Sequence, residues 1–102
     1  MPEMIDIGTI DDIPRQGARV VQTQKCKIAV FRTGTDEIYA VHDKCPHKNG
    51  PLSQGIVHGK KVTCPLHSLI IDLSTGRALP PDEGTVPTIP VKIKSGRIIL
   101  TV

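Results

Sequence analysis

The chain has 102 residues, with 13 Lys and Arg against 10 Asp and Glu, for a formal net charge of +3. It has no run of five like charges and only two aromatics, Phe31 and Tyr39, so a nucleic-acid partner is not expected. No apolar stretch nears the roughly 18 residues that span a bilayer, and no charged region followed by an apolar one opens the chain. No membrane association is expected, and a cytoplasmic location is.

A length of 102 residues suits a single domain, residues 1–102. Such a domain buries roughly 60–65% of its unfolded surface. Its core must come from Val, Ile and Leu, and with nine Gly and nine Pro the expectation is short strands joined by tight turns. Met4-Ile5-Asp6-Ile7 reads as the first strand, and Thr9 to Gly17 as a connection marked by Pro14 and Gly17. Ala18 to Thr23 and Lys25 to Arg32 read as an antiparallel pair that turns near Gln24. Cys26, Ile28 and Val30 fall on one face and Lys25 and Lys27 on the other. Cys26 is therefore expected inward as a small apolar filler with no histidine in its vicinity. Gly34-Thr35-Asp36 turns the chain into a third strand, Ile38 to His42.

The stretch from Asp43 to His67 holds two short pairs of candidate metal ligands. They are Cys45-Pro46-His47 and Cys64-Pro65-Leu66-His67, separated by sixteen residues. Each pair offers one thiolate and one imidazole. Two centres take such a set: a tetrahedral zinc, as in a structural zinc-binding module, or a [2Fe-2S] cluster with cysteines on one iron and histidines on the other. Zinc sites usually gather both Cys in one knuckle and both His at a helix end. Here each loop is mixed, which suits two irons along an axis, Cys inward and His toward solvent. Pro46 and Pro65 stiffen the two loops by fixing a backbone dihedral. Gly50, Pro51 and Gly55 supply turns, and Leu52 is expected to cap the apolar side. With two of three cysteines committed, no disulfide within the chain is expected, in keeping with a reducing compartment.

Between the pairs, Ile56-Val57-His58 and Lys61-Val62-Thr63 flank Gly59-Lys60 as a tight hairpin. His42 and His58 share no loop with a cysteine and read as ordinary polar histidines. Leu69-Ile70-Ile71 is an apolar run suited to a buried strand that Ser74-Thr75-Gly76 ends. Ile89 to Lys94 and Arg97 to Val102 close the chain as a hairpin around Ser95-Gly96.

The pattern C-x-H, sixteen residues, C-x-x-H, followed by Asp72-Leu73-Ser74-Thr75-Gly76, resembles the Rieske signature. The resemblance implies an all-β fold, a Rieske-type antiparallel β-sandwich with an inserted cluster-binding subdomain at about residues 43–84. It implies one Rieske-type [2Fe-2S] cluster per chain, bound by Cys45, His47, Cys64 and His67, with Pro80 and Pro81 as a covering loop. No nucleophile, general base or substrate pocket is readable, so no catalytic residue is expected and the chain reads as an electron relay. High-potential Rieske proteins add a disulfide between the loops and Ser and Tyr donors to the sulfurs. Here Lys48, Asn49, Leu66, Leu69 and Ile71 stand in those places, so a low potential is expected within a range of about −150 to +300 mV. Lys44, Lys48, Lys60 and Lys61 form a weakly basic surround that would suit an acidic rim on a redox partner.

The run Cys45-Pro46-His47-Lys48-Asn49-Gly50-Pro51-Leu52-Ser53-Gln54-Gly55-Ile56-Val57, then Val62 to His67, Ile71-Asp72-Leu73, Pro81-Asp82-Glu83-Gly84 and Pro90-Val91-Lys92 is similar to the small subunit of assimilatory NAD(P)H-dependent nitrite reductase. That resemblance implies a large subunit with FAD and sirohaem as partner, reducing nitrite to ammonia. Ser68-Leu69 departs from the usual Asn and aromatic of that family. The alternative is a free-standing Rieske ferredoxin of the same size that serves an aromatic-ring-hydroxylating dioxygenase and its reductase.

Overall fold

In a computed structural model of the chain, residues 4–24, 26–44, 51–64, 69–80 and 84–101 are described. Apart from two short 3-10 turns, Ile10–Asp12 and Leu52–Gln54, their regular structure is antiparallel β-sheet, as the sequence implies. β1 (Met4–Thr9), β9 (Val91–Lys94) and β10 (Arg97–Thr101) make one three-stranded sheet in the order β1-β10-β9. β2 (Gly17–Gln22), β3 (Lys27–Arg32), β4 (Ile38–His42) and β8 (Thr88–Ile89) make a second, in chain order. β5 (Ile56–His58), β6 (Lys61–Thr63) and β7 (Ile70–Asp72) make the third.

The second sheet lies in the middle. Along β3, Ile28, Ala29, Val30 and Phe31 are all fully buried, where the sequence reading expected one buried face. Alternation explains this: Ile28 and Val30 pack with Ile7, Ile98 and Leu100 of the first sheet, and Ala29 and Phe31 pack with Val57, Val62 and Ile71 of the third. β4 repeats the pattern, with Ala40 on the first side and Val41 on the other. Each fully buried aliphatic side chain contributes roughly 1.5–3 kcal/mol, so β3 and β4 hold both cores together.

The β5–β6 hairpin turns at Gly59-Lys60 as read from the sequence, with Val57 paired to Val62 and both buried. The closing segment differs from the expected continuous strand Ile89 to Lys94. Thr88 and Ile89 pair with Val41 and Ala40, whereas Val91 to Lys94 pair with β10. Pro90 stands at the crossing. It cannot donate to a ladder, and its carbonyl accepts the Thr101 N–H at 3.0 Å. The connection before β2 is pinned by Arg32, whose Nη1 donates to the carbonyls of Ile10 at 3.2 Å and Ile13 at 2.8 Å.

Candidate metal centre

Of the four expected ligands, Cys64 is described. Cys45, His47 and His67 lie outside the described residues, as do Lys25, Lys48, Gly50, Leu66 and Pro81. Cys64 follows the last residue of β6 and is buried, and its backbone N–H donates to the Leu69 carbonyl at 2.7 Å. That bond closes the base of segment 65–68. Its neighbours in the core are apolar: Leu52, Leu69, Ile71 and Leu73 belong to the same buried cluster. Leu52 is fully buried in this cluster together with Cys64.

The residues that flank the other expected ligands, Cys45 and His47, are joined by a clasp with no clear signal in the sequence. The Asp43 carboxylate accepts the Ser53 backbone N–H at 2.7 Å and the Ser53 hydroxyl at 2.9 Å. Asp43 in turn donates its N–H to the Lys27 carbonyl at 2.9 Å, tying the start of the segment to β3. Beyond Ser53 the chain turns at Gly55, where any Cβ would collide with the Thr63 carbonyl oxygen and lie 2.9 Å from Val62 Cγ2. The strand leaving the first segment therefore runs in backbone contact with the strand entering the second. Both segments spring from adjoining points above one apolar core, an arrangement that fits a centre shared by two loops. Among the described residues, which include one of the four expected ligands, no three His, Cys, Asp or Glu side chains gather.

Two expectations require correction. Cys26 is half-buried against the first core, as expected of a filler, but a histidine is close: His42 Nε2 lies 3.7 Å from Cys26 Sγ, with Thr23 Oγ1 at 3.8 Å. The pairing of Ile28 with His42 across β3 and β4 brings them together, sixteen residues apart in the chain. The second concerns two of the four lysines of the basic surround: Lys44 is exposed next to Cys45 in the chain and Lys48 lies outside the described residues, but Lys60 and Lys61 are elsewhere. Lys60 and Lys61 sit at the turn end of the β5–β6 hairpin, opposite the end where Ile56 pairs with Thr63 beside Cys64. Lys60 Nζ is 3.7 Å from Glu37 Oε2, and Lys61 pairs across strands with Asp72.

That turn end is a polar anchor between the middle and third sheets. Tyr39 donates its hydroxyl to Glu37 at 3.1 Å. Hydrogen bonds from Thr35 and Tyr39 hold the Glu37 carboxyl below its usual range, and desolvation followed by Glu37 raises the Tyr39 phenol. His58 Nε2 lies 2.7 Å from Thr63 Oγ1 on the outer face of the third sheet.

Comparison with known proteins places this architecture. The chain is 36% identical over 97 residues to the ferredoxin component of the naphthalene 1,2-dioxygenase/salicylate 5-hydroxylase systems of a Ralstonia species, covering 94% of this chain and 92% of that one. It is 38% identical over 104 residues to the anthranilate 1,2-dioxygenase ferredoxin subunit of Burkholderia cepacia, covering 100% and 94%. In structure it superposes on an NADH-dependent nitrite reductase small subunit from Mycobacterium tuberculosis with a TM-score of 0.90 at 21% identity, over 100% of this chain and 96% of that one. No helix among the described residues is long and apolar enough to cross a membrane. The family model for the Rieske-like [2Fe-2S] domain matches residues 3–101. With that match, the chain belongs to the Rieske-like [2Fe-2S] domain family, as an electron-transfer domain whose cofactor is a Rieske-type [2Fe-2S] cluster.

Proposed function

We propose that this chain is a ferredoxin-type electron carrier that serves the oxygenase of an aromatic-ring-hydroxylating dioxygenase system, with Cys45, His47, Cys64 and His67 as cluster ligands. The observation that carries it is the near-complete, two-sided match to dioxygenase ferredoxins at 36–38% identity. When bound, such a cluster supplies one-electron exchange. The chain's own residues do the holding. The Asp43–Ser53 clasp ties down the base of the first ligand segment and the Cys64–Leu69 bond the base of the second. Leu52, Leu69 and Ile71 keep water from the inner side. The family assignment leaves the zinc module without support.

A second reading, the small subunit of a nitrite reductase with a large flavin and sirohaem subunit, is favoured by the run of residues from Cys45 to Lys92. The structural likeness at 21% identity speaks for the fold alone. That run of residues points first to this subunit, whereas the relatives in sequence support the separate carrier. The test is reconstitution. NADH-driven turnover of a ring-hydroxylating oxygenase and its reductase, with this chain as the sole carrier, supports the first reading. Co-purification with a sirohaem flavoprotein, and no turnover with the oxygenase, overturns it. The ligand assignment is tested separately: Cys45→Ser, His47→Ala, Cys64→Ser and His67→Ala should each lose the visible absorption and the EPR signal of the reduced protein. Retention of both signals in any of them removes that residue from the set.

A further inference from the structure

The strand register sorts the outer face of the third sheet into two rows. Ile56 pairs with Thr63, Thr63 with Ile70, and the Leu79 N–H donates to the Ile70 carbonyl at 2.9 Å. Their neighbours Val57, Val62 and Ile71 are buried in the core, so alternation turns Ile56, Thr63, Ile70 and Leu79 outward in one uncharged row. Ile56 is 71% exposed, and the other three are half-buried. One step along the strands, His58, Lys61, Asp72 and Arg77 form a second row, joined by the His58–Lys61 and Lys61–Asp72 pairings and by the Asp72 N–H to the Arg77 carbonyl at 2.9 Å. The uncharged row is the one beside the ligand segments: Thr63 precedes Cys64, Ile70 follows Leu69, and Gly55 precedes Ile56. The other exposed large apolar side chains among the described residues, Met4, Val20 and Ile93, lie singly on β1, β2 and β9.

We propose that the row Ile56–Thr63–Ile70–Leu79 is the docking ledge for the electron-accepting oxygenase, and that it meets an apolar strip bordered by carboxylates. This rests on the carrier function proposed above. Size and charge choose the occupant. Four chains about 4.8 Å apart and one row, about 7 Å, deep present on the order of 130 Å², far below the roughly 800 Å² per partner of a stable dimer. That suits the small, brief contacts of electron transfer better than a second copy of the chain. In the bordering row Lys61 and Arg77 outnumber Asp72, so a partner rimmed with acidic side chains is complemented and a basic one repelled. The uncharged ledge lets the partner close without stripping water from buried charges.

The test uses cluster-loaded protein with purified ring-hydroxylating oxygenase and a reductase, with turnover followed against carrier concentration. Ile56→Asp places a carboxylate on an exposed position of the ledge. It should raise the half-saturating concentration about tenfold with maximal turnover, visible spectrum and midpoint potential unchanged. Ile93→Asp, on the first sheet, should change nothing. If the wild-type protein drives turnover and Ile56→Asp saturates at the same concentration, the ledge is overturned while the carrier function stands. If the wild-type protein carries a full cluster yet drives no turnover, the carrier function itself is overturned. Sedimentation of the wild-type protein as a dimer that Ile56→Asp dissolves gives the ledge to a second copy and overturns the oxygenase as its occupant.

Discussion

Asp43 and Ser53, ten residues apart, are joined twice: the carboxylate accepts both the backbone N–H and the hydroxyl of Ser53, at 2.7 and 2.9 Å. Segment 45–50 lies between them, so the pair sets how far apart its two ends stand. Hydrogen bonds to a charged group contribute about 1.5–3 kcal/mol each, and a half-buried donor left unpaired costs about 1–3 kcal/mol. Asp43→Ala is therefore expected to speed loss of the visible chromophore under an iron chelator by tenfold or more. Ser53→Ala keeps the N–H bond and should produce a smaller increase. Equal rates in wild type and Asp43→Ala would show that the clasp does not hold the loop.

Gly55 makes a second prediction. Its φ of −76° is open to any residue, so its necessity is steric: a Cβ there runs into the Thr63 carbonyl oxygen and crowds Val62. Gly55→Ala must push the strand entering Cys64 away from the one leaving the first segment. Overpacking of this kind typically costs about 1–3 kcal/mol, and a lower thermal midpoint with reduced iron content per chain is expected. Gly59, where a Cβ meets nothing within 4 Å but φ is +57°, is the comparison. Gly59→Asn should leave iron content intact, because Asn tolerates that conformation.

Acid stability follows from the arginine–carboxylate pairs. Asp36 receives hydrogen bonds from Arg15 and from Arg32, which hold its carboxyl below the usual 3.8. Arg97 does the same for Asp6. A depressed folded-state value means that the unfolded chain binds more protons in acid. The stabilisation is therefore complete above about pH 4–5 and disappears as pH falls through the folded values. Asp36→Asn retains a residue that tolerates the φ of +67° at this position. It should lower the thermal midpoint at pH 7 and flatten its decline between pH 5 and pH 3. A decline as steep as that of the wild type would assign the acid sensitivity elsewhere.

The strands were legible because apolar alternation and turn residues are local signals. Gly59-Lys60 and Ser95-Gly96 turn hairpins as read, and Ile38 to His42 forms β4 over the same residues. What escaped depends on register between distant strands. Nothing within a few residues of Cys26 announces His42, and nothing near Lys60 says that the hairpin points it away from Cys64. Pro90 was visible, yet its consequence, a strand that changes sheets, required knowing that β4 and β10 flank it. The Asp43–Ser53 clasp had a faint signal in the Asp two residues before Cys45 and the Ser two residues after Pro51. Either residue alone is ordinary loop chemistry.

The surroundings of Cys64 bear on the redox potential. Leu69 and Ile71, which stand where high-potential members of the family place hydroxyl donors, are both buried in the apolar core with Leu52 and Leu73. Their side chains carry no donor for the sulfurs, so these side chains do nothing to offset the negative charge gained on reduction. An apolar, poorly solvated surround penalises that added charge as well. The midpoint potential is expected near the low end of the range of about −150 to +300 mV open to such clusters. Direct voltammetry checks this, and a value above about +150 mV would contradict it. Ile71→Tyr brings a hydroxyl to the buried position, and where the core accepts the ring the midpoint should rise with the ligand set and visible spectrum kept. An unchanged midpoint in a folded Ile71→Tyr protein would mean that the potential is set by something other than the missing donor.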